Sequence, residues 1–413
     1  MCGADNGLDL PELRPLPAEP ATAGGRDGLA LRDPLLLAEP CFVPRELLPI
    51  LVRFDGTHAP AAVAAAASRE LRQRVPVAAV DALVRDLDAR LLLVTPRFRA
   101  ARDDALAHFL ATGVRAASHA GSPGYPADPA ALRRELAAVL ASAPPVPVHA
   151  ASSALCGLVA PHIDLARGRT GYAAAYARLR AAAPADLYVI FGTGHDGPSA
   201  PITGLPIDWQ TPLGTAVTDR TFVAAVHAAI GPAAPENLLL HRGEHSLEFQ
   251  VLWLQYVHEC AGWPPPRVAG FLCGALPSAD GDPSAEPWLQ QTVQALRGAA
   301  GARRVAWIAG ADLAHLGRLF GDDAAVDAEL LQQLDARDRA RLQRLAQGEP
   351  GPFHCAVEHG GNPDRVCSAP AIALCALLAG GRAELLHYGQ AAASDGSQVV
   401  SFCAAAFAST STR

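Results

Sequence analysis

Apolar positions along this chain follow two different rhythms. Between residues 45 and 98 they recur at helical spacing in short blocks. From Ala154 onward, short continuous apolar runs alternate with longer amphipathic stretches. In the first region the pattern predicts a short helix over Glu46 to Phe54, ended by the Asp55-Gly56 turn signal, and a helix with an alanine face over Pro60 to Gln73. A third helix over Val77 to Ala89 has apolar Val77, Val80, Leu83, Val84 and Leu87 near a 3.6-residue period. Leu91 to Val94 then reads as a strand or wing before Thr95-Pro96. Phe98 to Thr112 reads as a connecting helix and Ala130 to Leu140 as another. In the second region Cys156 to Ala160, Leu187 to Phe191, Val268 to Leu272, Val305 to Ala309, Ala383 to Tyr388 and Val399 to Phe407 have the length and composition of buried strands. Helices are expected over Gly171 to Ala183, Asp219 to Ile230, Ser246 to Cys260, Glu286 to Ala300, Asp322 to Ala346 (one helix or two) and Ala369 to Leu378.

That alternation predicts an α/β fold: a central mixed sheet flanked by helices, preceded by a small winged helix-turn-helix-like domain. The expected division is an irregular, Pro-, Gly- and Ala-rich leader over 1–40, with short strands and turns from Leu29 to Phe42. A small domain over 41–98, a linker helix over 99–114, a metal-binding domain over 115–408 and a tail over 409–413 follow. A Pro-rich linker is expected at Pro144 to Pro147.

Composition narrows the function. The chain has 413 residues, 50% hydrophobic and 18% charged, with 35 Pro and 36 Gly. Its net charge of −7 offers no basic face to neutralise phosphates, so no nucleic-acid partner is expected. Arg337 to Arg344 alternates with Asp338 and apolar residues and reads as a solvated helix face. The Met1-Cys2-Gly3 start lacks the basic and apolar segments of a signal peptide, and no uncharged apolar run reaches about 18 residues. A cytoplasmic protein without a membrane span is therefore expected. Nine scattered cysteines without a CxxC pair suit free thiols better than a disulfide framework or zinc ribbon.

The candidate chemistry sits where strands end. Leu158-Val159-Ala160-Pro161-His162 puts a histidine just after one strand, and Phe191-Gly192-Thr193-Gly194-His195 does so after another. Ala309-Gly310-Ala311-Asp312-Leu313-Ala314-His315 repeats the arrangement. Functional groups gather at the carboxyl ends of strands in α/β sheets, so histidines far apart in sequence can converge there. Each could equally be a hydrogen-bonding or capping residue. Glu244 and His245 open a helix, as pocket groups or as a helix cap. Cys367 precedes a helix at Ser368-Ala369-Pro370; a thiol there is available as a thiolate, for metal or as a nucleophile. Cys273, Cys375 and Cys403 lie in apolar runs and read as core residues.

Two resemblances follow from these motifs. The Phe54-Asp55-Gly56-Thr57 turn and its flanking helices resemble PqqD-like domains, which hold a precursor peptide; a structural cap on the larger domain is the plainer reading. Ala160-Pro161-His162, Gly192 to His195, Glu244-His245-Ser246-Leu247-Glu248, Gly310 to His315 and Cys367-Ser368-Ala369-Pro370 resemble, in order, the motifs of the Memo family. Tyr125 to Pro129 and Tyr388-Gly389-Gln390 fit too, so the likeness spans Arg115 to Ala408. With an N-terminal extension the chain is similar to the bacterial AmmeMemoRadiSam system protein B group, whose genes lie beside those of a radical SAM protein and an AMMECR-domain protein.

The resemblance implies a fold similar to class III extradiol dioxygenases. It implies His162, His195 and Cys367 as metal ligands, with His315 as general acid/base and Asp312 and His245 beside it in the pocket. It implies iron (Fe2+), with the soft thiolate also suiting copper or zinc, and a non-haem iron-dependent oxidoreductase, with a peptide as candidate substrate. The alternatives are a non-catalytic copper- or iron-binding or peptide-binding adaptor, and a metal-independent hydrolase with Cys367 as nucleophile and His315 as base. Two departures stand out. Thr193-Gly194-His195 replaces a common Pro-Ser-His. Ile163-Asp164 replaces a small residue and Gly, and Asp164 there suits a cap.

Overall fold

A run such as Leu187 to Thr193, apolar without alternation, has no face to offer water and needs cover on both sides. That requirement organises the C-terminal part of this computed structural model, which describes residues 8–121, 124–146, 154–278 and 282–408. Residues 1–7 of the expected leader, Pro147 of the expected linker and the whole expected tail, 409–413, lie outside the described residues. The chain divides into two compact units, Met1–Thr112 and Gly113–Arg413.

The first unit begins with three strands, β1 (Ala18–Ala23), β2 (Arg26–Leu31) and β3 (Cys41–Pro44), in an antiparallel sheet of order β1-β2-β3. The irregular leader expected over 1–40 is thus corrected. The Gly24-Gly25 pair, both at positive φ, makes the tight turn that joins β1 to β2. The turn signal was present, but the strands it joins are too exposed to show alternation. Helices α1 (Leu48–Leu51), α2 (Pro60–Leu71), α3 (Val77–Ala89) and α4 (Pro96–Ala111) follow. The expected wing at Leu91 to Val94 is reduced to a single bridge from Leu93 to Leu13. Val63, Val80, Val84, Leu87 and Leu93 form the centre of a separate small core. A fully buried ion pair joins Arg14 to Asp33 at 2.6 Å.

The second unit opens with β4 (Val114–Arg115) and α5 (Pro129–Ala141), capped by the Asp128 carboxylate. Then come β5 (Leu155–Ala160), α6 (Arg169–Ala181), β6 (Leu187–Thr193), β7 (Ile202–Gly204), β8 (Asp208–Thr211) and β9 (Gly214–Thr218). After them lie α7 (Arg220–Ile230), α8 (Pro235–Leu240), α9 (Ser246–Ala261), β10 (Arg267–Cys273), α10 (Pro287–Ala300), β11 (Val305–Gly310) and β12 (Asp312–Leu316). The chain closes with α11 (Ala328–Gln347), α12 (Pro350–Glu358), α13 (Ala369–Ala379), β13 (Ala383–Ala392) and β14 (Val399–Ala408).

These strands build one mixed 11-stranded sheet of order β12-β14-β5-β11-β6-β10-β9-β8-β4, with β13 on β14 and β7 on β10. β5, β11, β6 and β10 run parallel, and β14 is antiparallel to β5. The expected mixed sheet flanked by helices is what the chain forms. Four short strands, β7, β8, β9 and β12, do not stand out in the sequence because three to five residues are too few to show a period.

Register positions the site. Gly310 lies opposite Ala160, and Ala309 opposite Phe191, so β5 and β11 end level and β6 runs one residue further. Whatever follows them emerges side by side. Helix α9, buried from Ser246 to His258, packs close against those ends. It comes so near that a Cβ on Gly310 would stand 2.3 Å from the Ser246 carbonyl, and one on Gly192 2.4 Å from the Ser246 hydroxyl.

Candidate metal centre

Three adjacent strand ends and two helix starts supply the site. His162 follows β5, His195 follows β6, and Asp312 follows β11 between them. Glu244 and His245 precede α9, and Cys367 precedes α13. His315 does not directly follow β11 but sits inside the short strand β12, paired with Val400 of β14.

His162, His195 and Cys367 each offer a ligand atom, and these atoms lie within 4.8 Å of one another. His162 is 1% exposed. Its Nδ1 stands 2.9 Å from the Gly310 carbonyl, which can only accept, so Nδ1 carries the proton and Nε2 is free. Nε2 faces the Cys367 sulfur at 3.6 Å. A nitrogen about 2.05 Å and a thiolate about 2.3 Å from one ion, at a tetrahedral angle, stand roughly 3.5 Å apart. The pair is therefore spaced to share one ion. The His195 Nδ1 donates to both oxygens of Glu244, at 2.9 and 3.1 Å, which leaves its other nitrogen for the thiol side. Glu244 is itself held by the backbone N–H groups of His245 and Ser246, each at 2.8 Å. This is the arrangement by which proteins fix the tautomer and orientation of a ligating histidine.

The electrostatics agree. Burial pushes the Cys367 thiol up, but the charge and hydrogen bond of His162, then the hydrogen bond of His195, outweigh it and hold the thiol well below its usual range. Burial pulls His162 down, yet the charges of Asp312 and Cys367 carry it up to about 9. His195 is likewise raised well above its usual value, burial being overcome by Glu244 and Cys367. Protons thus sit on the two imidazoles to balance a thiolate and two carboxylates. A cation between the three donors would take the place of those protons, so the donor set fits a metal ion.

The remaining expected residues surround this centre. Asp312 is buried; its Oδ1 accepts the His162 N–H at 3.0 Å, its Oδ2 lies 3.6 Å from His162 Nε2, and burial raises its pKa. His315 is fixed by the backbone: its N–H donates to the Asp364 carbonyl at 2.9 Å, and its Nδ1 lies 3.1 and 3.2 Å from the Leu313 and Arg365 carbonyls. Its Nε2 is therefore the nitrogen available to the pocket. The His245 ring stacks on His195 at 4.9 Å and 15°, and burial lowers its pKa to about 3. Asp164 accepts the Arg167 N–H at 2.9 Å in the turn before α6; it does not cap that helix, whose N-cap is Gly168 without a side-chain hydrogen bond, so the cap expected of it is corrected.

A cavity of about 390 Å³ opens onto this cluster, lined by His162, His195, His245, Asp312 and His315 and walled by Ile163, Phe249, Phe320 and Val400. A smaller cavity of about 150 Å³ beside Ile202, His227 and Trp288 has no such cluster.

Sequence reasoning missed the support on the other wall. Glu248, fully buried, accepts from Tyr125 and Arg115, from the Ser118 hydroxyl at 2.9 Å, and from the Ser118 and His119 backbone at 3.0 and 3.1 Å. Arg115 also reaches the His241 and Glu244 carbonyls. This knot fastens Arg115, Ser118, His119 and Tyr125 to α9 and sets His119 on the pocket wall, its ring centroid 5.1 Å from that of His245. A buried Arg and Glu 133 residues apart leave no local signal.

Comparison with known proteins agrees with the motif order. The model of the family described as Memo-like protein matches residues 115–406. A MEMO1 family protein of Aquifex aeolicus is 26% identical over 321 residues, 78% of this chain and 79% of that protein. The MEMO1 family protein TTHA0924 of Thermus thermophilus is 29% identical over 217 residues, 52% of this chain and 60% of its own. A third, from Methanococcoides burtonii, is 33% identical over 133 residues, 32% and 46% of the two chains. No helix among the described residues is long and apolar enough to cross a membrane.

Proposed function

The chain belongs to the Memo family, and from that premise we propose that its C-terminal unit is a non-haem iron-dependent oxidoreductase, with His162, His195 and Cys367 as the ligands of an Fe2+ ion. The observation that carries this reading is the convergence of two imidazoles and a thiolate, with both imidazoles lining a cavity of about 390 Å³. Three protein ligands leave open positions, the logic of non-haem iron sites, and an Fe2+ ion held there would supply redox chemistry with dioxygen. The chain's own groups would handle the proton. His315 presents Nε2 to the cavity while two carbonyls hold Nδ1, so it would take a proton from a substrate hydroxyl or amide and return it. Asp312 would orient His162 and offset the charge that His315 gains. The walls of Ile163, Phe249, Phe320 and Val400 would exclude water from an apolar substrate portion.

We put a peptide forward as substrate class, with the N-terminal unit holding it, and a radical SAM protein and an AMMECR-domain protein as partners. The sheet and three longer helices of that unit support a peptide-holding role by analogy only. The test is anaerobic reconstitution with Fe2+, followed by dioxygen uptake in the presence of candidate peptides. Uptake abolished by Cys367→Ala and slowed by His315→Gln is expected; uptake unaffected by either overturns the reading. A second reading, a metal-carrying adaptor, is favoured by one feature: the thiolate is soft and suits copper(I). Tight copper(I) binding without dioxygen uptake would select it.

A further inference from the structure

We propose that His195, Glu244 and His245 form a second cation site beside the first, sharing His195 with it. It extends the reading of His162, His195 and Cys367 as metal ligands. Like that first group, these three offer ligand atoms that lie within 4.8 Å of one another. The His195 Nδ1 is 2.9 Å from Glu244 Oε2, and the His245 Nδ1 is 3.3 Å from Glu244 Oε1. The two imidazole planes lie at 15°, so both rings meet the carboxylate from one side. Glu244 is 7% exposed and buried beneath, while the His245 side chain is 29% exposed, so the site is built from inside yet reached from the cavity.

The usual role of a carboxylate on a ligating histidine explains the Glu244–His195 contact. It does not explain why His245 turns its Nδ1 to the same carboxylate, or why its ring lies 4.9 to 5.2 Å from those of His119, His162 and His195. Two nitrogens and one carboxylate oxygen are the donors of a borderline divalent cation such as zinc or cobalt(II). The ion would replace the proton on His195 Nδ1, which leaves to solvent, and the imidazolate would then join the two ions. The Cys367 thiolate, the Asp312 and Glu244 carboxylates and that imidazolate together balance two dications.

The probe is cobalt(II), added stoichiometrically to the full chain under anaerobic conditions and followed by its visible spectrum and by chelator competition. Two equivalents are expected. The first carries a near-ultraviolet thiolate band; the second adds a visible band without it. His245→Ala and His245→Gln should leave the first equivalent and weaken the second by at least the roughly 100-fold that even an outer partner can contribute. Both variants are at a partly exposed position, and an unchanged thermal melt shows that they fold. His162→Ala/Cys367→Ala should abolish the thiolate band and keep one equivalent that His245→Ala then removes. One equivalent in the parent, lost in His162→Ala/Cys367→Ala, overturns the second site and leaves the first. Two equivalents unmoved by His245 substitution also overturn it. One equivalent without a thiolate band, lost only with His245, upholds this site and overturns the first.

Discussion

The two units of the chain treat buried charge in different ways. Among its described residues the N-terminal unit buries the ion pair of Arg14 with Asp33 and closes it completely: Arg14 also binds the Leu91 carbonyl, and Asp33 accepts from the Leu35, Leu37 and Ala38 backbone. Every group there is consumed by structure. The C-terminal unit has closed knots too, around Arg115 and Glu248 and around Arg341, Asp338 and Asp364, and beside the first a cluster that is not closed. His162 Nε2 and the Cys367 sulfur face each other at 3.6 Å, with the Ser368 hydroxyl also within reach of the sulfur, and His162 lines the cavity. Buried polar groups are expensive unless satisfied. Where a fold leaves donors aimed into a cavity, the missing partner is a ligand, and that contrast is what marks the site.

The contrast is sharpest in the ion pairs. Arg115→Met leaves Glu248 buried without its cation and should cost about 3–5 kcal/mol, as breaking buried pairs does. Arg14→Met should cost a comparable amount. Urea unfolding reads both, and metal content separates them: Arg115→Met should lower it by loosening Ser118, His119, Tyr125 and the Glu244 carbonyl, while Arg14→Met should leave it unchanged. Equal loss of metal in the two would erase the distinction between the units.

A smaller effect comes from glycines. Gly310→Ala pushes a methyl against the Ser246 carbonyl and should cost about 3 kcal/mol, at the upper end for overpacking. Gly24→Ala in the N-terminal turn meets nothing within 4 Å and should cost only the about 1–2 kcal/mol of its positive φ. Thermal melts with metal analysis check this, and only Gly310→Ala should also disturb the metal.

Next is Glu244→Gln. It keeps the side chain's length but loses the charge that orients His195, so metal affinity at the His162, His195 and Cys367 group should fall roughly 10- to 100-fold. An unchanged affinity in chelator competition would show that Glu244 only caps α9.

The smallest effect is pH-dependent. Burial raises the Glu248 carboxyl, but the His119 hydrogen bond and the Arg115 charge, with Tyr125, hold it well below the usual carboxylate range. Its contribution is therefore complete above the ordinary glutamate value of about 4.3 and is lost as pH falls below it. Stability measured from about pH 6 to pH 3 should fall less steeply in Glu248→Gln than in the parent. An identical slope would show that Glu248 is not held low.

Much of this was legible in the sequence, and the exceptions have physical causes. The long parallel strands and helices could be read because burial on both faces or one forces a period. His162 and His195 could be singled out because each follows a strand end, where a sheet collects functional groups; Cys367 stands before a helix and joined them through the family resemblance. The Gly24-Gly25 hairpin could not, since its strands are exposed and carry no alternation. The short strands β7, β8, β9 and β12 could not for want of length, so the strand that carries His315 did not show. The Arg115–Glu248 knot was hidden because its partners meet only after β4 and α9 are in place. The sequence did show Glu244 near the site, but not that its carboxylate turns toward His195 rather than only capping α9.

The central claim is that His162, His195 and Cys367 hold one ion. Its most direct test is the metal content of the protein purified anaerobically, beside a Cys367→Ala/His195→Ala variant shown to fold by its thermal melt. Stoichiometric iron in the parent, absent from the variant, is the predicted result. Metal retained by the variant would contradict the assignment.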